Sequence, residues 1–369
     1  MVKAFAIRGH SPRLRLPYID YRVFIKEENM GKKLRIGLLG AGRIGNLHGT
    51  NIQNFVPDAE VVIVADPFMN EEMEAWAKSI GIARCSKDPE DVFSADDVDA
   101  VFICSSTNTH AEFMIRAAKA GKHIFCEKPI DTEVGKIKEA LAEVEKAGVK
   151  LQVGFVRRFD RSHKAVRDVV ASGKLGKPFV VKVCSRDPAG PPMSYIAVSG
   201  GIFTDMMIHD FDMVRYLSGS DVTEVSTVGA VLTDPDYAKY DDVDTAIVTL
   251  KFANGAIGVI DNCRQAPYGY DQRVEVLCEK GSVQDNNHLE NEAFISTAET
   301  VESAKPTYFF LERYNDAFVA ETKAFVDAVL NDKEVPVGGK DGLEPVRIAI
   351  AAKKSLVEGR PVKLSEIEA

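Results

Sequence analysis

The sequence lacks several features that would confine it to a specialised class of protein. No apolar run approaches the roughly 18 residues that a membrane span requires, and the six cysteines include no Cys-x-x-Cys pair. Neither a zinc cluster nor a disulfide framework is therefore indicated, and we interpret the thiols as reduced and mostly buried. Lys and Arg number 46 against 55 Asp and Glu, a formal net charge of -9. That balance argues against nucleic acid as a partner, because phosphate binding requires a basic surface.

What is present is the composition of an ordinary globular protein, with 369 residues of which 45% are hydrophobic and 27% charged. At about 150 residues per domain, this length predicts two domains. The first 30 residues carry basic side chains and no acid before Asp20, but they have neither the apolar segment of a secretory signal nor the serines of a transit peptide. We interpret residues 1–30 as a poorly ordered extension and expect a cytoplasmic protein.

Short apolar runs alternate with helical patterns over residues 31–154. The runs are apolar throughout, which is typical of parallel strands covered on both faces. The sequence therefore predicts an α/β fold whose N-terminal domain is a doubly wound Rossmann domain. The predicted strands are residues 34–39, 61–65, 101–104, 123–126 and 150–154.

After residue 155 the pattern changes to successive β-type runs separated by turn signals such as Asn254-Gly255. Strands joined by hairpins predict an α+β domain over residues 155–369, with a large, mainly antiparallel open sheet. We also predict one helix over residues 201–217, and because it is apolar on nearly all sides we expect it to be buried.

The first chemical signal is Gly40-Ala41-Gly42-Arg43-Ile44-Gly45, which follows a predicted strand and opens a helix. Asp66 ends the second strand, twenty-one residues after Gly45. Gly40 permits a tight turn, Gly42 lets the backbone approach a pyrophosphate, and Gly45 allows close helix packing. Asp66 can bind ribose hydroxyls and would repel a 2'-phosphate, which favours NAD over NADP. We assign to the cofactor Gly40, Gly42, Arg43, Ile44, Gly45 and Asp66.

Two later loops also follow predicted strands, where ligands bind in such sheets. Residues 105–110 offer hydroxyls where the cofactor passes, although Thr107 or Thr109 could equally serve as a helix N-cap. Glu127-Lys128-Pro129 places a cation at a strand end, and an ordinary exposed turn lysine is the alternative. We assign to the cofactor, in addition, Ser105, Thr107, Glu127 and Lys128.

Asp205, His209 and Asp212 recur at i, i+4 and i+7 and form one polar stripe on the predicted helix. A buried polar stripe needs partners or lines a cleft. It is either a structural Asp–His hydrogen bond or the site of a general base, because imidazole titrates near neutrality. No third ligand has a suitable spacing, so we expect no metal site. We interpret the remaining histidines as ordinary structural residues.

These motifs resemble the glucose-fructose oxidoreductase, inositol dehydrogenase and rhizopine-catabolism family, Gfo/Idh/MocA. The resemblance covers roughly residues 33–364 and is carried by the glycine motif, Cys126-Glu127-Lys128-Pro129, and residues 154–160 and 200–210. Within the family, residues 185–188 and 268–273 resemble the inositol 2-dehydrogenase group. The resemblance implies an NAD-dependent enzyme acting on a cyclic polyol, commonly as a homotetramer whose C-terminal domain makes the subunit contacts.

The resemblance also implies residue roles. Lys128 would bind the reacting hydroxyl, with a cis bond before Pro129, and His209 would be the base with Asp205 as its partner and as a ligand for ring hydroxyls. Oxidation of a secondary alcohol requires a base and stabilisation of developing negative charge, which agrees with this assignment. The expected catalytic residues are thus Lys128, Asp205 and His209. Further implied substrate contacts are Arg157, Asp187 and Tyr268.

The sequence therefore predicts NAD-dependent oxidation of the 2-hydroxyl of myo-inositol to 2-keto-myo-inositol (scyllo-inosose), a step of inositol catabolism. A dehydrogenase of another inositol isomer, or of a pyranose such as glucose, would keep the same residues. A different class, a non-catalytic NAD-binding sensor, would need only the glycine loop and Asp66.

Overall fold

The computed structural model describes residues 33–367, and its first sheet has six strands, all parallel, in the order β3-β2-β1-β4-β5-β6. The strands are β1 (Leu34–Leu39), β2 (Ala59–Ala65), β3 (Arg84–Ser86), β4 (Ala100–Ile103), β5 (His123–Glu127) and β6 (Leu151–Gly154). The helices between them are α1 (Arg43–Phe55), α2 (Glu71–Ser79), α3 (Glu90–Phe93), α4 (Thr107–Lys119) and α5 (Val134–Ala147). This order confirms the doubly wound Rossmann fold. The predicted extension, residues 1–30, lies outside the described residues.

Local sequence signals explain several helix boundaries in this sheet domain. The side chain of Asn70 accepts hydrogen bonds from the amides of Glu72 and Met73, which caps the start of α2. Helix α5 ends at Gly148, whose φ of 65° lies in the left-handed region that glycine adopts without steric cost. Strand β3 and helix α3 were not predicted, because each is too short to show a periodic pattern.

The second sheet has seven strands in the order β12-β11-β7-β10-β9-β8-β15. Only β7 and β10 pair in parallel, so the predicted α+β architecture with a mainly antiparallel sheet is confirmed. The strands are β7 (Pro178–Arg186), β8 (Val222–Ala230), β9 (Thr245–Phe252), β10 (Ile257–Cys263), β11 (Asp271–Cys278), β12 (Gly281–Asp285) and β15 (Val362–Lys363), with β13 (Phe294–Ser296) and β14 (Val301–Ser303) in a separate hairpin. The remaining helices are α6 (Arg161–Ala171), α7 (Met193–Ser199), α8 (Gly201–Asp205), α9 (Ile208–Ser218), α10 (Phe310–Leu330) and α11 (Gly339–Glu358).

The last two helices return to the first sheet. Phe325 of α10 is fully buried and packs in the core that contains Phe102 of β4. In α11, Val346 belongs to the core on the other side of the first sheet, whereas Ile348 belongs to the core under the second sheet. Helix α11 therefore joins the two cores. The domain limits at residues 30, 154 and 155 stay a prediction. Within residues 33–367, no helix has the length and apolar character needed to cross a bilayer.

The single helix predicted over residues 201–217 is wrong, because the structure has two helices, α8 and α9, separated at Met206 and Met207. In a continuous helix the carbonyl of Asp205 would accept the amide of His209. The break leaves that carbonyl free for another donor. The predicted stripe also ends early, because buried Asp212 accepts hydrogen bonds of 2.8 and 2.6 Å from Arg158 and belongs to an ion pair instead.

Candidate active site

The glycine motif forms the turn between β1 and α1, and each glycine has a steric reason. Gly40 has a φ of 98°, and a Cβ there would lie 2.7 Å from the carbonyl oxygen of Cys104. A Cβ on Gly45 would lie 2.0 Å from the carbonyl oxygen of Gly40, so this glycine lets the helix approach the turn itself. A Cβ on Gly42 would meet nothing within 4 Å, so this backbone is open to a ligand. Gly42 is also the N-cap of α1, whose first turn has no acidic residue to compete with an anion.

Asp66 follows β2 and is buried, and its carboxylate holds the glycine turn. One oxygen accepts the amide of Ala41 at 2.8 Å, and the other accepts the amide of Phe68 at 2.8 Å. Each carboxylate oxygen can accept a further hydrogen bond, so ribose hydroxyls can still be bound. Arg43 is exposed and Ile44 half-buried at the start of α1 beside this turn. The residues present therefore fit a dinucleotide.

The loop after β4 lies against the glycine turn, since a Cβ on Gly40 would also be 2.8 Å from the amide nitrogen of Ser105. The Ser105 hydroxyl lies 2.7 Å from the Thr109 hydroxyl. Helix α4 begins at Thr107 with Ser106 as its N-cap, so neither Thr107 nor Thr109 is the cap. The assignment of Ser105 and Thr107 to the cofactor stays a prediction.

Lys128 follows β5 at the same edge of the sheet. The Lys128–Pro129 peptide bond is cis, as the resemblance implied. The Nζ atom of Lys128 donates to the backbone carbonyl of Asp205 at 3.1 Å, which is the carbonyl freed by the break between α8 and α9. Lys128 therefore reaches from the first sheet to the predicted polar stripe, and two of its three N–H donors are left for a ligand.

His209, in the first turn of α9, is close enough to Lys128 for its charge to act on the imidazole. His209 is half-buried, and its pKa lies well below the ordinary value, first because the ring is desolvated and then because Lys128 and Arg157 repel a proton. Its Nδ1 atom is buried and has no hydrogen-bond partner among residues 33–367. The ring is therefore a neutral imidazole at neutral pH, able to accept a proton.

Asp205 is held by two residues that sequence reasoning missed. The hydroxyl of Tyr195 donates to Oδ1 at 2.7 Å, and the buried guanidinium of Arg264 lies 3.3 Å from Oδ2. No hydrogen bond between Asp205 and His209 exists in the described part of the chain. Tyr195 lies in α7 and Arg264 follows β10, and no local pattern could connect either residue to Asp205.

Arg157 and Asp187 differ in whether their charged groups already have hydrogen-bond partners. The guanidinium of Arg157 is buried and donates to Asp210 at 2.6 Å and to Ser185 at 3.2 Å, so it acts on the site mainly through its charge. The carboxylate of Asp187 has no hydrogen-bond partner within residues 33–367. Burial raises the pKa of Asp187 to about 6, and the nearby guanidiniums of Arg264 and Arg157 offset this only in part.

In the described residues, no hydrogen bond joins Tyr268 to Lys128, Asp205 or His209. Its hydroxyl donates to Asp271 at 2.6 Å and accepts from Arg186 at 3.1 Å. Arg186 alternates along β7 with Ser185, whose hydroxyl bonds Arg157, and so projects from the other face of the sheet. A substrate contact for Tyr268 stays a prediction.

Two groups of side chains in the described region lie close enough together to hold a metal ion. They are His48, Glu127 and Glu321, and Asp160, Asp285 and His288. Neither group includes Lys128, Asp205 or His209. In the second group the Arg313 guanidinium bonds Asp160 and lies 3.4 Å from Asp285, which supplies the positive charge that a metal would bring.

Lys128 thus bonds the Asp205 carbonyl, and its charge acts on His209. Asp187 is near enough to Asp205 and Arg264 for their charges to act on its carboxyl group. An ammonium, a neutral imidazole and a carboxylate with free acceptor sites can together bind hydroxyls and remove a proton from one of them.

Comparison with known proteins gives matches over nearly the whole described chain. Residues 34–155 match the profile described as "Oxidoreductase family, NAD-binding Rossmann fold", and residues 167–364 match "Oxidoreductase family, C-terminal alpha/beta domain" of the same Gfo/Idh/MocA group. Myo-inositol 2-dehydrogenase of Thermotoga maritima is 45% identical over 90% of this chain and 99% of its own length.

Two further relatives are named for scyllo-inositol rather than for myo-inositol. The scyllo-inositol 2-dehydrogenase (NAD(+)) of Bacillus subtilis is 38% identical, over 91% of this chain and 97% of its own length. The crystal structure of scyllo-inositol dehydrogenase from Lactobacillus casei, with bound NAD(H) and scyllo-inositol, superposes with a TM-score of 0.84 at 30% identity, covering 90% of this chain and 100% of the other.

Replacing Asp66 with Asn should reduce the preference for NAD over NADP. The amide oxygen can still accept the Ala41 amide, which leaves the NH2 group facing the Phe68 amide. The charge that repels a 2'-phosphate is lost, so we expect the ratio of kcat/KM values to fall by about tenfold. Asp66→Ala is the matched control, because it also removes the bond to the glycine turn and should weaken both cofactors. An unchanged ratio in Asp66→Asn would show that another group selects the cofactor.

Proposed function

We propose that this chain, a member of the Gfo/Idh/MocA oxidoreductase family, oxidises the 2-hydroxyl of myo-inositol to the ketone, 2-keto-myo-inositol, with NAD as cofactor. It is an NAD-dependent oxidoreductase, and the inositol dehydrogenases among its relatives support a cyclic polyol as substrate. The observation that carries the proposal is the hydrogen bond from Lys128 to the Asp205 carbonyl, and the lowering of the His209 pKa by the charge of Lys128 supports it.

Each residue of this group has a distinct part in the reaction. When bound, NAD accepts a hydride from the alcohol carbon. His209 takes the proton from the hydroxyl, and its lowered pKa ensures that it is unprotonated beforehand. Lys128 donates to the same oxygen and stabilises the negative charge that develops there. Glu127, next to Lys128, has one carboxylate oxygen bonded to His48, and its assignment to the cofactor is part of this proposal.

A ring with a hydroxyl on every carbon requires several fixed polar partners. Asp205 is fixed by Tyr195 and Arg264, and Asp187 has unused acceptor sites. A site that hydrogen-bonds a hydroxyl discriminates strongly against an analogue that lacks it, because the buried polar group would then be unpaired. This supports a polyol over a simple secondary alcohol. The sensor alternative is disfavoured, since NAD binding alone needs neither Lys128 nor His209.

A panel of myo-, scyllo- and chiro-inositol, glucose and xylose, each with NAD and with NADP, tests the proposal through absorbance of the reduced cofactor. We expect the highest kcat/KM with myo-inositol and NAD, and product analysis should identify the 2-ketone. A higher value with scyllo-inositol or with glucose would transfer the assignment to that substrate. No reduction with any polyol would favour the sensor.

His209→Ala serves as the matched variant in this panel. It should bind NAD with unchanged affinity, because His209 lies outside the glycine turn, while turnover falls by about 100-fold or more. Turnover equal to that of the wild type would refute the role of His209 as base.

The dependence of polyol binding on pH should be set by Asp187. Its pKa is raised to about 6, so the carboxylate that accepts hydroxyl bonds is present above that pH and is protonated below it. We therefore expect kcat/KM for the polyol to fall as the pH drops through about 6. His209 protonates at lower pH and adds no limb there. Asp187→Asn should lower kcat/KM and abolish this limb; a limb that persists in the variant would belong to another group.

We also infer self-association into the homotetramer that the family resemblance implies. The outer face of the second sheet supports it, because apolar side chains are exposed there: Val228, Ile247, Ile257 and Leu277. They alternate along their strands with buried residues such as Val248 and Val276, and exposed apolar patches mark association surfaces. Light scattering should give four times the chain mass, and Ile247→Lys with Ile257→Lys should lower it. A wild-type monomer would contradict this inference.

A further inference from the structure

Lys128 lies between two residues that are each held by a buried histidine. The Nε2 atom of His48, in α1, is 2.7 Å from Oε1 of Glu127. The Nδ1 atom of His110, in α4, is 2.8 Å from the carbonyl oxygen of Pro129. His48 is fully buried, and His110 is 2% exposed. The side chain of Glu127 and the carbonyl of Pro129, on either side of Lys128, are therefore each held by a histidine from a helix.

Within residues 33–367, His48 makes only this one hydrogen bond. Its ring is surrounded by the edges and faces of Phe102, Phe125 and Phe318, with centroid distances of 5.1 to 5.7 Å. Its Nδ1 atom is buried and has no partner among the described residues. We assign the hydrogen to Nε2, because the bond to the Glu127 carboxylate is then formed and Nδ1 buries only a lone pair. A bond excluded from water in this way holds Glu127 in one position.

A second carboxyl group lies near this pair without joining it. An oxygen of buried Glu321 is 4.0 Å from Nε2 of His48, which is beyond hydrogen-bond distance. Burial and the charge of Glu127 raise the pKa of Glu321 well above its usual range. The neutral form of Glu321 is therefore favoured, and Glu127 is the carboxyl group that His48 contacts.

His110 connects two loops. Its Nε2 atom is 2.9 Å from the carbonyl oxygen of Ser105, in addition to the contact between Nδ1 and Pro129. Both oxygens are acceptors, so either neutral tautomer donates to one and only contacts the other, whereas a doubly protonated ring donates to both. The loop after β4, which lies against the glycine turn, is thus tied to the segment that carries Lys128. His48 has no such second contact.

We propose that His48 and His110 are positioning residues for Lys128. A lysine side chain is a flexible four-carbon stem, and the only partner of its Nζ atom in the described residues is the Asp205 carbonyl. The other carboxylate oxygen of Glu127 accepts the backbone amide of Lys128 at 3.3 Å. Holding the Glu127 carboxylate and the Pro129 carbonyl therefore restrains the backbone of Lys128 and so limits where the ammonium can lie. This inference deepens the proposed function and rests on it for its kinetic test.

The two histidines should give different kinetic effects. His48→Leu removes the bond to Glu127, so kcat should fall by about 10- to 100-fold, while KM for NAD rises less than in His110→Leu, because the Ser105 loop is not released. His110→Leu should lower kcat and also raise KM for NAD, because it releases the Ser105 loop as well. This difference between the two variants in KM for NAD distinguishes positioning from a general loss of stability. A loss of stability would not affect kcat and KM differently in the two variants.

Conservative variants and a histidine of the same strand provide the controls. In His48→Gln the amide nitrogen can replace Nε2, so most of kcat should return, whereas the shorter side chain of His48→Asn should not restore it. His123 begins β5 at the opposite end, where its Nδ1 accepts the amide of Lys150 at 3.1 Å. His123→Leu should leave kcat unchanged. Should His48→Leu fail to fold, the comparison of Gln with Asn decides.

A measurement without substrate keeps the inference separate from the proposed function. Mass spectrometry after brief treatment with an amine-reactive reagent gives the labelling rate of Lys128. We expect faster labelling in His48→Leu and His110→Leu than in the wild type and in His123→Leu. If the wild type oxidises no polyol, the proposed function fails and this rate still decides the positioning role.

Three results would overturn the inference. One is a His48→Leu variant with the kcat and Lys128 labelling rate of the wild type. Another is equal activity of His48→Gln and His48→Asn. The third is one equivalent of metal in the purified protein that is lost in His48→Leu, because His48, Glu127 and Glu321 would then be metal ligands rather than a positioning group.

Discussion

The hydrogen bond from Lys128 to the Asp205 carbonyl is the contact on which the site depends, because it joins the first sheet to the helices over the second. Its partners lie 77 residues apart. The bond requires an interrupted helix, since a helical carbonyl in mid-chain is already occupied by the amide four residues later. The break at Met206 and Met207 ends α8 at Asp205 and restarts the chain as α9. His209 lies in the first turn of α9, where the charge of the Lys128 ammonium, bonded to the Asp205 carbonyl, acts on its ring.

Charge balance explains how these groups can share a largely buried region. Arg157 is paired with Asp210, and Arg264 with Asp205, so each buried guanidinium has a carboxylate partner. Breaking such a pair by removing one partner leaves an uncompensated charge, which typically costs about 3–5 kcal/mol. The cations nevertheless act beyond their partners, because Lys128 and Arg157 both lower the pKa of His209. The proposed removal of a proton from an alcohol requires an unprotonated base, and these two charges favour that state of His209.

Much of this arrangement could be predicted from sequence. The remaining features could not be predicted, because they leave no local pattern in the chain. Apolar runs gave the strands of the first sheet, and the glycine spacing with Asp66 gave the cofactor turn, because those signals are local. The helix break could not be read, since Gly201 to Leu217 keeps an unbroken apolar pattern. Arg264 meets Asp205 across 59 residues, and His110 meets Pro129 across 19, so neither contact leaves a periodic trace in the chain. His48 and His110 resemble ordinary core histidines until their partners are located.

Some polar groups of the site already have hydrogen-bond partners among the described residues, and others do not. The groups without partners indicate which kind of ligand the site can bind. Both carboxylate oxygens of Asp205 already have protein partners, whereas Asp187 and two donors of Lys128 have none in the described chain. The occupied groups hold the geometry, and the unoccupied ones remain to be filled by a ligand. A cyclic polyol, which presents several hydroxyls at fixed separations, suits such a set of groups better than a small alcohol does. Because the groups with protein partners are already held, they need little further ordering on binding, and under the proposed function the orientation of the bound ring decides which hydroxyl meets Lys128 and His209.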